Sequence, residues 1–308
     1  MAPFVPPMKS TIDCFDCMIR QSLRTARLVG VDEARQDRVV RSVMGHLLGT
    51  EPGDPPIEIA LGVQEVVRAT TGVADPYEKI RRRSNARAGP WGRRLERLVP
   101  EDPLDALERS LRIAVAGNVI DYGPAGSFDL GEVVDRCLHR PAGPWDRGLL
   151  AERLKTANRI AFLADNAGEI VFDRILLRVL RERFGVSEIL FVVREHPFLN
   201  DALTEDAVRA GIASLPGVTV AAMGPGIPEP GDPTDPVWQS VRSADLRLAK
   251  GQANAEIFDE EEDFFLLFLV KCKQVARAAS LRTGRNVEAG DMALLHTGRG
   301  RVNPGNAA

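Results

Sequence analysis

The spacing of apolar residues changes near residue 157, and this change is the strongest constraint on the fold. From there to about residue 271, short apolar runs alternate with stretches in which apolar residues recur every three or four positions. Such alternation predicts β-strands joined by α-helices, and hence an α/β fold whose mainly parallel sheet is covered by helices on both faces. The predicted strands are RIAFLAD, EILFVVRE, VTVAAMG, ADLRLAKG and FFLLFLVKC.

Residues 11–98 carry only the helical pattern. Glycine follows three of the helical stretches, at Gly30, Gly49 and Gly72, and glycine is favoured just past a helix C-terminus. Another long helix is predicted after Pro103. We therefore predict a helical N-terminal region over residues 1–103 and an α/β domain over residues 104–303.

Polar side chains stand at the carboxyl ends of most of the predicted strands. The first strand ends in Asp165 and Asn166, and the second leads through a short loop to Asp201. The fourth ends in Lys250, and the fifth runs into Lys271. Ligands of open parallel sheets bind outside the carboxyl ends of the strands. The sequence therefore predicts one site at this edge.

The acidic residues of this edge predict a metal site. Neighbouring parallel strands lie about 4.8 Å apart, so Asp165 and Asp201 can share one cation, with the Asn166 carbonyl as a third ligand. Oxygen donors of this kind suit Mg²⁺ or Mn²⁺ better than zinc. The alternative is that Asp165 only caps a helix that begins near Glu169.

The lysines of the same edge predict a phosphorylated substrate. Two aspartates and one divalent cation sum to zero charge, so Lys250 and Lys271 remain to offset a phosphate monoester. Glycine at positions 168 and 251 allows backbone N–H groups to approach phosphate oxygens. The alternative is that the lysines are solvated strand ends.

Two further motifs leave their roles open. In the segment AGNVIDYG, Asn118 and Asp121 lie at i, i+3 on one helix face, where they either reach the site or terminate the helix. Cys14 and Cys17 form a C-x-x-C pair with either a redox or metal role or simple packing in the core.

Composition and charge narrow the function classes. A net charge of -3 over 308 residues gives no reason to expect nucleic acid or an anionic membrane as a partner. The longest apolar block, residues 264–270, is far shorter than the roughly 20 residues of a membrane-spanning helix. The N-terminal stretch MAPFVPPMKS lacks a signal-peptide core, and four cysteines fit a reducing compartment. A cytoplasmic protein is predicted.

The end of the first strand excludes two common α/β enzyme classes. A haloacid-dehalogenase-type phosphatase would need a second aspartate two residues after Asp165, and Ala167 stands there. A dinucleotide-binding fold would need a G-x-G-x-x-G turn, which the segment DNAGEI does not provide.

Seven segments in order resemble the metal-dependent damage-control phosphatases, a family that formerly carried a domain-of-unknown-function label and has one member described as an acidic-residue methyltransferase. They are CFDCMIRQ, DPYEKI, GNVIDYG, DNAGEIVFD, HPFLNDALTEDA, AKGQANAE and VKC. The match extends from about residue 11 to 300, and the C-x-x-C pair resembles the largely prokaryotic subfamily.

The resemblance implies a Rossmann-like three-layer α/β/α domain and a phosphatase that needs Mn²⁺, Co²⁺, Ni²⁺ or Mg²⁺ and acts on damaged or side-product sugar phosphates. It implies three metal ligands, which are Asp165, Asn166 and Asp201. Asp165, Asp201 and Lys250 would be catalytic. The implied substrate contacts are Asn118, Asp121, Gly168, Lys250, Gly251, Asn254 and Lys271.

The predicted reaction is phosphomonoester hydrolysis, in which the cation polarises a phosphoryl oxygen and Lys250 stabilises charge on the equatorial oxygens. The attacking group is either water or an aspartate. Two alternatives remain: an S-adenosylmethionine-dependent carboxyl methyltransferase, weakened by the absence of a glycine-rich turn, and a non-catalytic protein that binds a metal or metabolite.

Overall fold

The computed structural model describes residues 8–117, 130–224 and 234–298. The helical elements before the sheet are α1 (Ile12–Leu28), α2 (Glu33–Leu47), α3 (Pro56–Thr71), α4 (Glu78–Glu96), α5 (Pro103–Ala116), α6 (Leu130–His139) and α7 (Arg147–Leu154). The sheet region contains β1 (Arg159–Leu163), α8 (Ile170–Phe184), β2 (Glu188–Arg194), α9 (Thr204–Arg209), β3 (Val218–Met223), α10 (Pro236–Arg242), β4 (Leu246–Lys250), α11 (Gln252–Phe258), β5 (Phe264–Leu269), α12 (Lys273–Thr283) and β6 (Met292–His296).

The strands form one sheet in the order β3-β2-β1-β4-β5-β6. Strands β1 to β5 pair in parallel, and β6 is antiparallel to β5. The predicted fold class, a mainly parallel α/β domain preceded by helices, is therefore confirmed. The sequence analysis did not predict β6, because periodicity alone cannot assign a five-residue apolar run.

Both faces of the sheet are buried. Along β1, Ile160 and Phe162 pack into a cluster with α5 and α8, whereas Ala161 and Leu163 pack into a second cluster with α10, α11 and α12. Alternate residues of a strand point to opposite faces. This alternation also applies to the last residue of each strand, and so it decides where polar side chains at the carboxyl ends point.

Helix α4 joins the helical region to the α/β core. The Gly89-Pro90 pair in the sequence predicts a break in this helix, because proline disrupts a helix interior, but α4 runs through both residues. The prediction is wrong because Ala88 and Leu95 of α4 are buried in the same cluster as α5 and α8, and this burial offsets the hydrogen bond that a proline cannot make.

Helices α1, α2 and α3 have a separate apolar cluster, which includes Val43, Val63 and Val67. The division into regions 1–103 and 104–303 stays a prediction. Within the described ranges, no helix is long and apolar enough to cross a bilayer.

Candidate active site

Two loops meet at the carboxyl ends of β1 and β2. Asn166 and Asp201 pair as an antiparallel β-bridge. The Ala202 N–H donates to the Asp165 carbonyl oxygen at 2.9 Å, and the Ala167 N–H donates to the Asn200 carbonyl oxygen at 2.9 Å. These backbone hydrogen bonds hold the two loops side by side. The predicted proximity of Asp165 and Asn166 to Asp201 is confirmed; their role as metal ligands stays a prediction.

Asp165 does not cap helix α8. The helix begins at Ile170, and its N-cap position is Glu169, which makes no side-chain capping bond. Asp165 lies four residues before that cap, so the alternative explanation of this residue as a helix cap is wrong.

The side chain of Asn166 has a fixed orientation. Its Nδ2 donates to Asp165 Oδ2 at 2.9 Å and to Glu169 Oε1 at 2.6 Å. Only the amide nitrogen can donate to carboxylates, so the two acidic neighbours fix Nδ2 on their side of the amide group. Oδ1, the end that can ligate a cation, therefore faces away from them.

Gly251 allows the Asp165 carboxylate to lie directly against the β4–α11 turn. Its φ is +87° and its ψ is 160°, a region that is essentially restricted to glycine. A Cβ at this position would lie 2.0 Å from Asp165 Oδ2. The glycine is required for this close approach.

The backbone donors of the two predicted phosphate-binding glycines are used within the protein. The Gly251 N–H donates to the Leu267 carbonyl oxygen at 3.0 Å, and the Gly168 N–H donates to Asn85 Oδ1 at 2.6 Å. In this arrangement neither N–H group can bind phosphate. The expectation failed because the sequence does not reveal the hydrogen bond that each backbone group makes in the fold.

Asn254, another predicted substrate contact, ties two strand ends together. Its Nδ2 donates to the carbonyl oxygens of Ala164, at 3.0 Å, and Lys250, at 2.7 Å. Both amide hydrogens are therefore used on the backbone, and the side chain is buried.

Lys250 does not lie at the open edge of the sheet, as the sequence analysis had expected. Its side chain is fully buried. The Nζ atom lies 3.0 Å from Asp173 Oδ1 and 3.4 Å from Glu169 Oε2, and it donates to the Ala114 carbonyl oxygen at 3.0 Å. Strand alternation is the reason, because Lys250 shares a sheet face with Leu248, the face that α5 and α8 cover. A direct contact between Lys250 and phosphate is incompatible with this placement.

Two carboxylates that the sequence analysis did not assign to the site, Glu169 and Asp173, pack around Lys250. Burial, together with the Asp165 carboxylate, raises the pKa of Glu169 to about 8. Burial raises the pKa of Asp173 to about 6, against the opposing charge of Lys250. Glu169 is the N-cap residue of α8, and Asp173 lies one turn later on the buried face of this helix. That spacing of acids on an otherwise apolar helix face was the available sequence signal.

Asp201 is held by Arg194, the last residue of β2, whose Nε donates to Asp201 Oδ2 at 2.9 Å. Burial raises the pKa of Asp201 to about 6, although the guanidinium of Arg194 opposes the shift and the Asp165 carboxylate adds to it. The ionised form of Asp201 is therefore costly mainly because it is buried, and the nearby Asp165 carboxylate adds to that cost.

Lys271 is the exposed cation of this edge. Its charge lowers the pKa of both Glu169 and Asp201, against the larger effect of burial. Its backbone N–H donates to Gln252 Oε1 at 2.8 Å, which fixes the start of the β5–α12 loop beside the site. Of the two predicted lysines, this one faces outward.

Asn118 and Asp121 lie outside the described residues. Cys14 and Cys17 lie on α1, and both are free thiols. The described part of the chain contains no cluster of three or more His, Cys, Asp or Glu side chains arranged to hold a metal.

The donor set at the joined loops fits a hard divalent cation. It consists of two carboxylates and one amide oxygen, which is the ligand chemistry of Mg²⁺ and Mn²⁺ and leaves room for water. The raised pKa of Asp201, to which Asp165 contributes, is the electrostatic effect that a cation between these carboxylates would relieve.

Comparisons with known proteins identify the family. The damage-control phosphatase ARMT1-like domain matches residues 10–287. The chain belongs to this family. It is 31% identical to a damage-control phosphatase of Pyrococcus horikoshii, over 89% of this chain and 95% of that protein. It is 28% identical to a damage-control phosphatase of Archaeoglobus fulgidus, over 90% of this chain and 97% of that protein.

A solved structure supports the same assignment. The crystal structure of a DUF89 family protein from Pyrococcus horikoshii matches with a TM-score of 0.80 at 26% identity, over 94% of this chain and 99% of that chain. Together, these damage-control phosphatase relatives support a phosphatase function, and the methyltransferase alternative is not favoured. Membership of the family implies dependence on a divalent metal in general.

The close approach at Gly251 gives a test of the site's geometry. We expect Gly251→Ala to displace the Asp165 carboxylate and to weaken Mn²⁺ binding by at least about tenfold, the lower range for disturbing the support of a metal ligand. Isothermal titration calorimetry measures this affinity.

Gly72→Ala is the matched control, because Gly72 also has a positive φ, of 73°, but nothing lies within 4 Å of its added Cβ. Both variants should lose stability through backbone strain, and only Gly251→Ala should lose Mn²⁺ affinity. Equal affinities in the two variants would show that Gly251 does not shape the site.

Proposed function

We propose that this protein is a metal-dependent phosphatase that hydrolyses phosphomonoesters of small metabolites at the edge formed by the ends of β1, β2, β4 and β5. The observation that carries the proposal is the joining of the Asp165–Asn166 and Asp201 loops by backbone hydrogen bonds. These bonds support the proposal because they bring three residues with oxygen-bearing side chains, from the ends of two neighbouring strands, to one sheet edge where α/β proteins bind ligands.

The proposed metal ligands are Asp165, Asn166 and Asp201. When bound there, a divalent cation polarises a phosphoryl oxygen and offsets the charge of the phosphate. The oxygen donors support Mn²⁺ or Mg²⁺ as the ion, and the family resemblance extends the proposal to Co²⁺ and Ni²⁺.

The chain's own residues orient these groups. Glu169 holds the Asn166 amide nitrogen, and Arg194 holds one oxygen of Asp201. Lys250 contacts Glu169 and Asp173 and its charge opposes the rise in the pKa of both, and we propose that it acts through them and not on the phosphate.

Lys271 is the proposed phosphate contact. It is exposed, and its charge acts on Glu169 and Asp201. An ammonium group here opposes the negative charge that a phosphate ester brings to the site. In the reaction the bond between phosphorus and the alcohol oxygen breaks, a bond to a water oxygen forms, and the alcohol leaves with one of the water's protons.

The proposed substrates are phosphorylated small metabolites, among them damaged or side-product sugar phosphates as the family resemblance implies, and the proposed location is the cytoplasm. Asn118 and Asp121 stay proposed substrate contacts. No specific observation favours a non-catalytic metal-binding protein.

Replacement of Asp165 tests the proposed activity. We expect Asp165→Ala to lower kcat/KM for p-nitrophenyl phosphate with Mn²⁺ by at least about 100-fold, the scale for losing one preorganised electrostatic contact. Circular dichroism should report an unchanged fold. The control is Asp37→Ala, which removes an exposed aspartate paired only with Arg41 on the surface of α2. Full activity of the Asp165 variant would end the assignment.

Replacement of Lys271 tests the phosphate contact. We expect Lys271→Met to lower kcat/KM by about 10- to 100-fold, because a charge-assisted hydrogen bond contributes about 1.5–3 kcal/mol. Calorimetry should show no loss of Mn²⁺ affinity, because removing a nearby positive charge does not weaken the binding of a cation.

Lys273→Met is the matched control, since Lys273 is an exposed lysine two residues away on α12. It should keep wild-type kinetics. If both variants lost the same activity, a general effect of surface charge would replace the proposed contact.

A further inference from the structure

Helix α4 contacts both loops that carry the proposed metal ligands. The side chain of Asn85, on this helix, accepts from the Gly168 N–H at 2.6 Å through Oδ1 and donates to Asp206 Oδ1 at 2.8 Å through Nδ2. Gly168 follows Asp165 and Asn166 in the first loop. Asp206 lies in the first turn of α9, five residues after Asp201. One amide group from the helical region therefore bridges the two loops.

The orientation of this amide is set by chemistry. The Gly168 N–H can only donate and the Asp206 carboxylate can only accept, so Oδ1 must face the glycine and Nδ2 the aspartate. The bridge is buried, since Asn85 is 9% exposed and Asp206 is 0% exposed.

Arg81, one helical turn before Asn85, supports the second loop. Its Nε lies 3.3 Å from Asp206 Oδ2, and its Nη1 donates to the Leu199 carbonyl oxygen at 3.4 Å. Leu199 lies two residues before Asp201. Arg81 is 1% exposed and is also paired with Asp75, a residue of the segment DPYEKI. Contacts to both sides of Asp201 thus come from a single helix.

The first loop is pressed against the same helix. Gly168 has a φ of +86°, and a Cβ there would lie 2.8 Å from the Cβ of Ser84. The turn after Asn166 therefore cannot move towards α4. Together with the hydrogen bond from the Gly168 N–H to Asn85, this contact fixes the turn against α4.

We propose that Asn85 is a positioning residue that sets the spacing between the Asp165–Asn166 loop and the Asp201 loop, so that affinity for the divalent cation depends on helix α4. The inference rests on the proposed function, because it concerns the same metal site. Asn85 touches neither the cation nor the substrate. It acts through the backbone of Gly168 and the carboxylate of Asp206.

The variant Asn85→Asp breaks the bridge with almost no change in shape. An aspartate still accepts from the Gly168 N–H, but its second oxygen faces the Asp206 carboxylate and repels it. We expect the dissociation constant for Mn²⁺, measured by calorimetry on the full chain, to rise at least about tenfold, within the range for outer partners of metal ligands. The control is Asn286→Asp, an exposed asparagine bonded to Glu288, which should bind Mn²⁺ like wild type.

The double variant Asn85→Asp with Asp206→Asn restores the hydrogen bond between positions 85 and 206, with donor and acceptor exchanged. The new asparagine Nδ2 can donate to the new aspartate, and its Oδ1 can take over the hydrogen bond from the Leu203 N–H at 3.1 Å and the contact with Arg81 Nε. We expect this exchange to return the Mn²⁺ dissociation constant to within about threefold of wild type. This difference is smaller than the rise of at least about tenfold that we expect for the single variant.

The outcomes separate this proposal from the proposed function. A lower melting temperature for metal-free Asn85→Asp with unchanged Mn²⁺ affinity would mean that Asn85 only stabilises the fold, and would overturn the inference alone. Failure of the double variant to recover affinity, or failure of both variants to fold, would also overturn it. If wild type bound no Mn²⁺, both proposals would fall. The predicted pattern, loss in the single variant and recovery in the double, supports the inference.

Discussion

The site depends on the backbone pairing of two loops, formed where Asn166 and Asp201 bridge at the ends of β1 and β2. Two aspartates repel one another, and burial intensifies that repulsion. The bridge holds them together nevertheless, because the hydrogen bonds of Ala202 and Ala167 are backbone bonds that satisfy groups which would otherwise be unpaired in a buried loop. A cation bound between the side chains, as proposed, would relieve the repulsion that the backbone imposes.

The two lysines near the site differ in burial, since Lys250 is buried and Lys271 is exposed. Lys250 lies inside, surrounded by Glu169, Asp173 and the end of α5, and its charge lowers the cost of burying these carboxyl groups. Lys271 lies outside, where a ligand can reach it. The inner lysine therefore keeps Glu169, and through it the Asn166 amide, in place, whereas the outer one is the proposed contact for the phosphate of a substrate.

The sequence predicted the sheet, the convergence of its strand ends and the proximity of Asp165 to Asp201, because each follows from local periodicity and from the geometry of parallel strands. The sequence did not predict features that depend on tertiary contacts. The burial of Lys250 depends on which face α5 and α8 cover, and the donors of Gly168 and Gly251 are used by partners 83 and 16 residues away. The bridge of Asn85 likewise joins residues that no local pattern connects.

The most direct test of the central claim is an anomalous difference map from crystals grown with Mn²⁺ and measured near the manganese absorption edge. The account predicts one strong peak at about 2.0–2.2 Å, the distance typical of oxygen ligands of small divalent ions, from oxygens of Asp165, Asn166 and Asp201. A manganese peak at another place, for example at Cys14 and Cys17, or the absence of a peak at this distance from Asp165 and Asp201, would contradict it.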